Sequence, residues 1–394
     1  MPWKEACAME LRLEFTSLAS VEGANRALLC RRFGISRKTG YKWLARHAAA
    51  GAAGLREQSR RPRSSPRRTA EPMESLLTAT RRAHPAWGAR KLRAFLERQG
   101  QVDLPSASTI TEILRRHGLL DEASAAAHRP CQRFEHPAPN DLWQMDFKGH
   151  FGLENGARCH PLTLLDDHSR FSLCLAACGD QRTATVETQL ASVFRRYGLP
   201  RRILADNGSP WGGGDCREHP YTPLTVWLLR LDVAVSHGRP YHPQTQGKEE
   251  RFHRTLQLEL LSRRSFRDLA DCQRQFAPWR DEYNLHRPHQ ALGMATPADR
   301  YRPSVREYPE RLPELEYADP RQTRRVRQGW LSLHGRRVRV GRAFDGYALA
   351  LEPTIIEGML DVRFARHVVG RVDLRDDQPR LQRVPAEERT DQAN

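Results

Sequence analysis

Three carboxylates that lie far apart in the sequence constrain the fold of this chain more than any other feature. Asp146 lies in the strand-like run 142–147, Asp206 ends the strand-like run 202–206, and Glu250 lies early in a helix-like stretch. Three separated carboxylates can bind two hard cations, which together hold the attacking and the leaving oxygen of a phosphodiester. The pattern therefore predicts a sheet and a helix that bring these side chains to one site.

Each of these carboxylates also has an ordinary interpretation. Apolar and polar residues alternate along the first strand, which puts Asp146 on its polar face, where it could be a solvated residue. Asp206 follows an apolar strand, where α/β sheets place their sites, but Asp-Asn-Gly is also common turn chemistry. Glu250 and Arg254 share a helix face and could form an ion pair. The loop 239–248 favours the functional interpretation, because its donors and cations suit a phosphate backbone.

Four further carboxylates compete for a place in such a site: Asp166, Asp167, Asp215 and Glu249. Asp166 and Asp167 end the second predicted strand and could stand beside the metal ligands. Glu249 precedes Glu250 directly, and neighbouring residues on a helix point about 100° apart. We therefore expect Glu249 to face away from the site.

The middle of the chain mixes strand-like and helical patterns. The strand-like runs are 142–147, 162–166, 171–176, 202–206 and 233–236, and the helical runs are 183–197, 222–231 and 246–262. Three early strands followed by alternating helix and strand predict an α/β fold, a mixed five-stranded sheet with flanking helices.

The N-terminal third contains two predicted helix-turn-helix units. In 24–47, Gly34 supplies the turn and Ser36 caps the second helix. The exposed side chains near the start of that helix, where a recognition helix meets the major groove, are Arg37, Lys38, Tyr41 and Lys42. A second unit has helices over 87–96 and 105–118. A basic helical hairpin without a DNA-binding role is the alternative interpretation.

An extended, Pro- and Arg-rich linker separates the two units at 59–68. Its arginines, Arg60, Arg61 and Arg63, could lie in a minor groove or could simply be solvated. The charge of the chain supports a nucleic-acid partner, since residues 1–139 hold 25 Lys and Arg against 13 Asp and Glu, an excess of 25 − 13 = +12 out of a total of +17. An Arg-favouring genome could inflate the arginine count but not its uneven placement.

The eight cysteines are scattered without a C-x-x-C pair, which excludes a disulfide framework and a zinc-ligand spacing. No apolar run approaches the roughly 18 residues of a membrane helix, and the N-terminus is charged. We therefore expect a cytoplasmic protein without a membrane partner, which associates with the nucleoid when it is bound to DNA. Near the C-terminus, 301–322 predicts a Pro-rich linker. The short strands after it, separated by turn signals, predict a small β-barrel.

Several segments together resemble the DDE catalytic core of bacterial insertion-sequence transposases, relatives of retroviral integrases. They are Trp143-Gln144-Met145-Asp146, Leu204-Ala205-Asp206-Asn207-Gly208, the stretch 242–256, and the segment from Tyr283-Asn284 to Thr296-Pro297. The resemblance implies a multidomain chain. Its expected parts are a helix-turn-helix domain (1–56), a basic linker (57–72), a second helix-turn-helix domain (73–122), an RNase H-like core (136–300), a Pro-rich linker (301–322), a β-barrel (323–376) and a disordered tail (377–394).

The same resemblance implies a transposase that binds the terminal inverted repeats of an insertion sequence and performs metal-dependent strand cleavage and strand transfer. Asp146, Asp206 and Glu250 would be both the catalytic residues and the ligands of two Mg²⁺ ions, for which Mn²⁺ could substitute. The expected partners are double-stranded DNA, at the element ends and at the target, and further copies of the chain in a homodimer or higher oligomer. DNA contacts are expected from His242, Gln244, Lys248, Arg251 and Arg254.

Two departures from the pattern stand out. The interval from Asp206 to Glu250 is long, which predicts an extra loop from Trp211 to Pro223. Position 257, where such proteins often have a DNA-contacting lysine, is Gln257, and Arg254 could substitute for it. The alternatives are a helix-turn-helix regulator or an inactive remnant, and a structure-specific nuclease on the same fold.

Overall fold

A computed structural model describes residues 7–57, 68–120, 135–212, 221–237, 247–333, 335–376, 379–382 and 384. It divides the chain into two compact units, Met1–Arg68 and Thr69–Asn394. Among the described residues, no helix combines the length and apolar character that crossing a membrane requires. Five predicted DNA-contacting residues lie outside the described residues: Arg60, Arg61, Arg63, His242 and Gln244.

The first unit is a three-helix domain made of α1 (Ala8–Ala19), α2 (Arg26–Arg32) and α3 (Arg37–Ala50). Gly34 has a φ of 63° in the turn before α3, and the Ser36 hydroxyl accepts a hydrogen bond from the Thr39 amide at 3.1 Å. The predicted turn and cap are confirmed, whereas α1 was not predicted. Phe15 of α1 and Cys30 of α2 are buried at the centre of the domain.

The second unit begins with another three-helix domain, formed by α4 (Glu71–Ala83), α5 (Ala89–Arg98) and α6 (Ala107–Arg116). Ser106 caps α6 by accepting a hydrogen bond from the Thr109 amide, and Gly118 adopts the positive φ of 66° that ends the helix, as predicted. Leu77, Trp87 and Ile110 are fully buried between the three helices.

The central domain is a mixed sheet with helices on both faces. Its strands are β1 (Trp143–Phe147), β2 (Phe151–Gly152), β3 (Arg158–Asp166), β4 (Ser172–Cys178), β5 (Arg202–Ala205) and β6 (Ala234–His237). The order β4-β3-β1-β5-β6 confirms the predicted sheet, with the short β2 paired to the start of β3. β3 is antiparallel to both β1 and β4, while β1, β5 and β6 run parallel.

Helices cover the two faces of this sheet. They are α7 (Thr183–Tyr197), α8 (Pro223–Arg230), α9 (Gly247–Leu256), α10 (Leu269–Asp281) and α11 (Pro297–Arg300), and π-helical turns follow at Gln257–Leu261 and Glu282–His286. Trp143 and Met145 of β1 pack in one core with α7 and α8. The other face packs against α9 and α10, so the alternate residues of β1 face α9.

The predicted linker after α11 is extended, as expected, but it is bound to the central domain along its length. The Ser304 amide donates to the Tyr197 carbonyl at 2.8 Å, and the Leu199 amide donates to the Arg306 carbonyl at 2.7 Å. The Arg306 guanidinium reaches the Asp232 carbonyl at 2.6 Å. The segment therefore ties the end of α7 to the turn after α8.

The C-terminal region consists of β7 (Thr323–Arg325), β8 (Trp330–Leu333), β9 (Arg336–Arg339), β10 (Ala348–Pro353), β11 (Met359–Phe364), β12 (His367–Asp373) and β13 (Leu381–Gln382). The predicted small barrel corresponds to an antiparallel sheet in the order β13-β12-β11-β10-β7, with a separate β8-β9 hairpin. Both share one apolar core with Val226 and Leu229 of α8, so this region is packed on the central domain.

Candidate active site

Asp146 lies on the central strand of the sheet, on the face that α9 covers. It pairs with Thr163 of β3, and the Thr163 hydroxyl donates to its backbone carbonyl at 3.0 Å. Its apolar neighbours Trp143 and Met145 point into the opposite core, which fixes the direction of the carboxylate. The side chain is 25% exposed, so Asp146 can be reached from solvent although most of it is covered.

Asp206 follows β5 directly and stands beside Asp146. β5 runs parallel to β1 with Gln144 opposite Leu204, and two more residues of the same register bring Asp206 level with Asp146. The Gly208 amide donates to the Asp206 Oδ1 at 2.8 Å, and the Trp211 indole N–H donates to the same oxygen. In the described part of the chain no donor contacts Oδ2, so one carboxylate oxygen is left for another partner.

Glu250 and Glu249 occupy different faces of α9. Glu250 is exposed, whereas Glu249 is buried with 1% of its surface exposed, so the two point in different directions as predicted. The expectation that Glu249 faces away from the site is wrong, because its buried carboxyl group points inward to Thr163, the strand partner of Asp146. Where both partners are described, no ion pair forms between Glu250 and Arg254, so the intrahelical pair considered from the sequence is absent. Both side chains are exposed on the free surface of α9.

The charges of Asp206 and Glu250 both act on Asp146. Burial, then the negative charge of Asp206 and, more weakly, that of Glu250 together raise the pKa of Asp146 to about 6, against a backbone hydrogen bond from Phe147 that lowers it. Like charges raise a pKa most when they are close, so Asp206 acts on Asp146 more strongly than Glu250 does. The fold therefore places Asp206 next to Asp146, while Glu250 is exposed on α9, from where its charge still reaches Asp146.

The carboxyl groups of Asp146 and Asp206 are oxygen ligands of the kind that hard cations bind. Within the described ranges, no three His, Cys, Asp or Glu side chains converge closely enough to form a metal cluster. Mg²⁺ typically binds one or two carboxylates and completes its shell with water and phosphate oxygens. Asp146 and Asp206 could hold such an ion, and a bound cation would relieve the charge repulsion at Asp146.

A buried network supports Asp146 from behind. The Thr163 hydroxyl, which donates to the Asp146 backbone carbonyl, also lies 3.1 Å from a Glu249 carboxyl oxygen and 2.8 Å from the His253 Nε2. The other His253 ring nitrogen is 4.0 Å from the Asp146 carboxylate. Burial, followed by the charge of Asp146, raises the pKa of Glu249 well above its usual range, while burial and Lys148 lower the pKa of His253 to about 4. Both shifts favour the neutral form of these side chains.

The sequence suggested that Asp166 and Asp167 could stand beside Asp146. The structure places them elsewhere. Asp166 pairs with Trp143, three residues from Asp146 along β1, and its carboxylate is held by the Ser169 hydroxyl and amide. Asp167 accepts a hydrogen bond from the Gln144 amide at 2.7 Å. The reason is the antiparallel register, which carries the end of β3 to the opposite end of β1.

The described residues with a predicted DNA contact lie on exposed surfaces, with one exception. Arg37, Lys38, Tyr41 and Lys42 are exposed at the start of α3, and Arg251 and Arg254 are exposed on α9. The exception is Lys248, whose ammonium is hydrogen-bonded to the carboxylate of Asp167 and is only 18% exposed. In this structure Lys248 therefore ties α9 to the end of β3.

Two residues of the site were missed by sequence reasoning. Trp211, assigned to the extra loop, is buried, stacks on Phe147 with ring centroids 5.3 Å apart, and donates to Asp206. Lys148 donates to the Gln257 side-chain oxygen at 2.7 Å. Lys148 could have been recognised because it follows Asp146 by two positions on the same strand face. For Trp211, the signal in the sequence was the presence of a large aromatic residue in the Gly-rich segment that follows Asp206.

Known domain families match most of the chain. They are a helix-turn-helix domain (12–63), a homeodomain-like domain (39–114), two integrase core domain families (136–243 and 231–297) and the C-terminal domain of IS481 family transposases (321–380). The two integrase core matches contain all three clustered carboxylates.

Among curated proteins, the chain is 27% identical over 276 residues to an uncharacterized 39.2 kDa protein of insertion element IS476 from Xanthomonas euvesicatoria, covering 68% of this chain and 75% of that protein. It is also 27% identical over 232 residues to the transposase InsD of insertion element IS2 from Escherichia coli, a match that covers 55% of this chain and 73% of that protein. Among solved structures, a simian T-cell lymphotropic virus intasome chain matches with 15% identity and a TM-score of 0.36, over 79% of this chain and 99% of that one. The chain thus has the domain composition of an insertion-sequence transposase, with helix-turn-helix domains, an integrase core and the C-terminal domain of the IS481 family.

Proposed function

We propose that this transposase cuts and joins DNA with Asp146, Asp206 and Glu250 as its catalytic residues. The observation that supports the proposal most directly is the raised pKa of Asp146, because its causes include the charges of both other carboxylates. Asp146 lies on β1, Asp206 follows β5 and Glu250 lies on α9, so the proposed site would form only in the folded chain. The bound DNA would be the ends of an insertion sequence and the target.

The proposed cofactor is Mg²⁺, two ions per site, with Mn²⁺ as a substitute. When bound, such ions activate the attacking water or 3′-hydroxyl and stabilise the departing oxygen. The residues of the chain have separate tasks. Asp146, Asp206 and Glu250 would hold the ions. The Gly208 amide and the Trp211 indole orient Asp206 through its Oδ1, and Glu250 is exposed on α9.

DNA recognition is proposed to lie mainly in the N-terminal helices. Arg37, Lys38, Tyr41 and Lys42 are exposed on one end of a capped recognition helix, the position from which such helices contact base edges. Arg251 and Arg254, on the same helix as Glu250, would contact the phosphate backbone near the cut. Since two DNA ends must be joined, we propose that the active form is a homodimer or a higher oligomer.

Strand transfer tests the proposal directly. Purified protein is incubated with the inverted repeats that flank its gene, supercoiled plasmid and Mg²⁺, with and without chelator. We expect metal-dependent joining by the wild type. Asp146→Asn, Asp206→Asn and Glu250→Gln should each abolish it while leaving binding of the ends nearly unchanged. Joining that survives in all three variants would refute the assignment, and specific end binding without cleavage in Mg²⁺ or Mn²⁺ would instead indicate a regulator or an inactive remnant.

A further inference from the structure

Polar side chains at the end of β1 contact side chains at the end of α9. The last of these contacts along the strand joins Lys148 and Gln257. Residues at positions i and i+2 of a strand point to the same face, so Asp146 and Lys148 both face the helix. Asp146 meets His253, and Lys148 meets Gln257 one turn further along. The Lys148 ammonium therefore lies on the same side of β1 as the Asp146 carboxylate and one step beyond it.

Gln257 holds this lysine in a defined position. Its side-chain oxygen accepts the hydrogen bond from Lys148 at 2.7 Å, while its side-chain nitrogen donates to the Ser262 hydroxyl at 3.0 Å. Both ends of the amide are thus engaged, and the long lysine side chain is held with little freedom. Gln257 lies seven residues after Glu250, which places both on the same exposed side of the helix.

An open cleft of about 340 Å³ lies next to this pair. Lys148, Gln257, His150 and Arg264 line it together with Phe151 and Phe266. Lys148 and Arg264 are cations, and His150 and Gln257 add polar groups, while Glu154 is the one acidic residue in the lining. A cleft of this composition, open to solvent and lined by Lys148, two residues after Asp146, suits a DNA strand that continues past that carboxylate.

We propose that Lys148, positioned by Gln257, binds a backbone phosphate of the DNA strand that is being cut, next to the phosphodiester at the three carboxylates. The inference rests on the proposed function, because it takes that strand as the ligand. Lysine binds phosphate as a point charge. A lysine on either of two facing elements could therefore bind the same phosphate, if its ammonium reaches the same position. In this chain the ammonium belongs to Lys148 at the end of β1, and the neutral residue that orients it is Gln257.

An exchange of the two residues separates this role from a merely structural one. The variants are Lys148→Gln, Gln257→Lys, and the double variant with both substitutions, which moves the ammonium from the strand to the helix. Arg182→Gln is the matched control, since Arg182 is 84% exposed and lies outside the cleft lining. The readouts are KM for the DNA end and kcat in Mg²⁺-dependent cleavage, and the salt dependence of end binding by the catalytically inactive Glu250→Gln protein carrying the same substitutions.

We expect Lys148→Gln to raise KM for the DNA end about tenfold, the effect of losing one hydrogen bond to a charged group. The plot of log affinity against log salt should become less steep by about one, as for the loss of one phosphate contact. The double variant should regain most of both losses, and Arg182→Gln should change neither. Unchanged KM and salt slope in Lys148→Gln, or a double variant no better than Lys148→Gln alone, would overturn the inference.

The binding readout keeps the two proposals distinguishable. If the wild type binds ends but does not cleave in Mg²⁺ or Mn²⁺, the proposed catalytic function fails. The salt slope still reports whether Lys148 contacts a phosphate. If the wild type cleaves and Lys148→Gln alters neither readout, only the role of Lys148 is wrong.

Discussion

Trp211 shows how one side chain outside the carboxylate cluster can control it. Its indole N–H donates to Asp206, and its ring stacks on Phe147, the neighbour of Asp146. Trp211→Phe keeps an aromatic ring for stacking but removes the donor. Partners that orient a metal ligand are typically worth about 10–100-fold in activity or metal affinity. We therefore expect cleavage to fall within that range, with a melting temperature close to that of the wild type, measured in Mg²⁺ titrations of strand cleavage.

A mild loss of cleavage in Trp211→Phe accompanied by a large drop in melting temperature would contradict this role and would make Trp211 a packing residue. Sequence reasoning identified Asp146, Asp206 and Glu250 because each has a local pattern. It missed Trp211 because nothing in a Gly-rich loop indicates that a residue five positions on folds back to a carboxylate.

The raised pKa of Asp146 leads to a prediction about stability. A carboxyl group whose pKa is about 3.9 in the unfolded chain and about 6 in the folded chain binds its proton more tightly when folded. Its contribution is complete below pH 4 and is lost as the pH rises through 6, by up to roughly 2 kcal/mol after allowance for its partial exposure. In chelator, Asp146→Asn should therefore melt a few degrees above the wild type at pH 7.5, but not at pH 4.

Mg²⁺ provides the matched control for this prediction. It should raise the melting temperature of the wild type at pH 7.5, because cations relieve the repulsion, and should raise that of Asp146→Asn much less. Thermal unfolding followed by fluorescence at the two pH values measures both effects. A wild type more stable than Asp146→Asn in chelator at pH 7.5 would show that the carboxylates do not repel one another.

At the scale of elements, α9 separates two adjacent glutamates by function. Glu249 is buried, its burial raises its pKa, and its carboxyl group lies 3.1 Å from the Thr163 hydroxyl. The raised pKa favours the neutral acid, and Glu249→Gln introduces a neutral amide of the same shape. We expect its melting temperature to change by only a few degrees and cleavage to persist, whereas Glu250→Gln should abolish cleavage with no loss of stability. Parallel melting curves and cleavage assays of the two variants would test this, and the reverse result would exchange the two roles.

The helix α3 makes a second prediction at this scale. A methyl group at Gly40 would lie 2.6 Å from the Cys30 sulfur and 2.9 Å from the Phe15 ring, both in the core of the first domain. Gly40→Ala should therefore destabilise that domain by about 1–3 kcal/mol through overpacking, despite the better helix propensity of alanine. Chemical denaturation would measure it, and Thr39→Ala, one position earlier in the same helix, is the control that leaves this contact unchanged. An equally stable Gly40→Ala would mean that α1 and α2 can shift to make room.

Elements were easier to anticipate than their packing. The periodicity of 183–197 predicted α7 with the bounds that the structure has, and Ser36 and Ser106 marked two helix starts correctly. The helix α1 was missed because its apolar residues show no clear helical period, whereas those of α4 recur on one helix face and could have been recognised. The Pro-rich segment after α11 is extended, but prolines do not reveal that Ser304 and Arg306 bind it to the central domain.

At the scale of the whole molecule, the uneven charge of the chain implies that DNA binding and strand cleavage depend mainly on different parts of it. The excess of +12 among residues 1–139, against +17 in total, places most of the phosphate attraction before the carboxylate site. Arg37 and Lys38 are exposed at the start of α3 in the first unit, whereas Glu250 belongs to the second. Binding of the ends and strand cleavage should therefore respond to different substitutions.

The double substitution Arg37→Ala with Lys38→Ala should weaken end binding and reduce the slope of log affinity against log salt by roughly two, about 0.9 for each lost phosphate contact. Once DNA is saturating, the cleavage rate should be nearly that of the wild type, because the carboxylate site is unchanged. Glu250→Gln should show the opposite behaviour, with an unaltered slope and no cleavage. Binding measured at several salt concentrations, together with single-turnover cleavage at saturating DNA, would distinguish the two. A double variant that binds normally but cleaves slowly would show instead that these side chains act on catalysis and that recognition lies elsewhere in the chain.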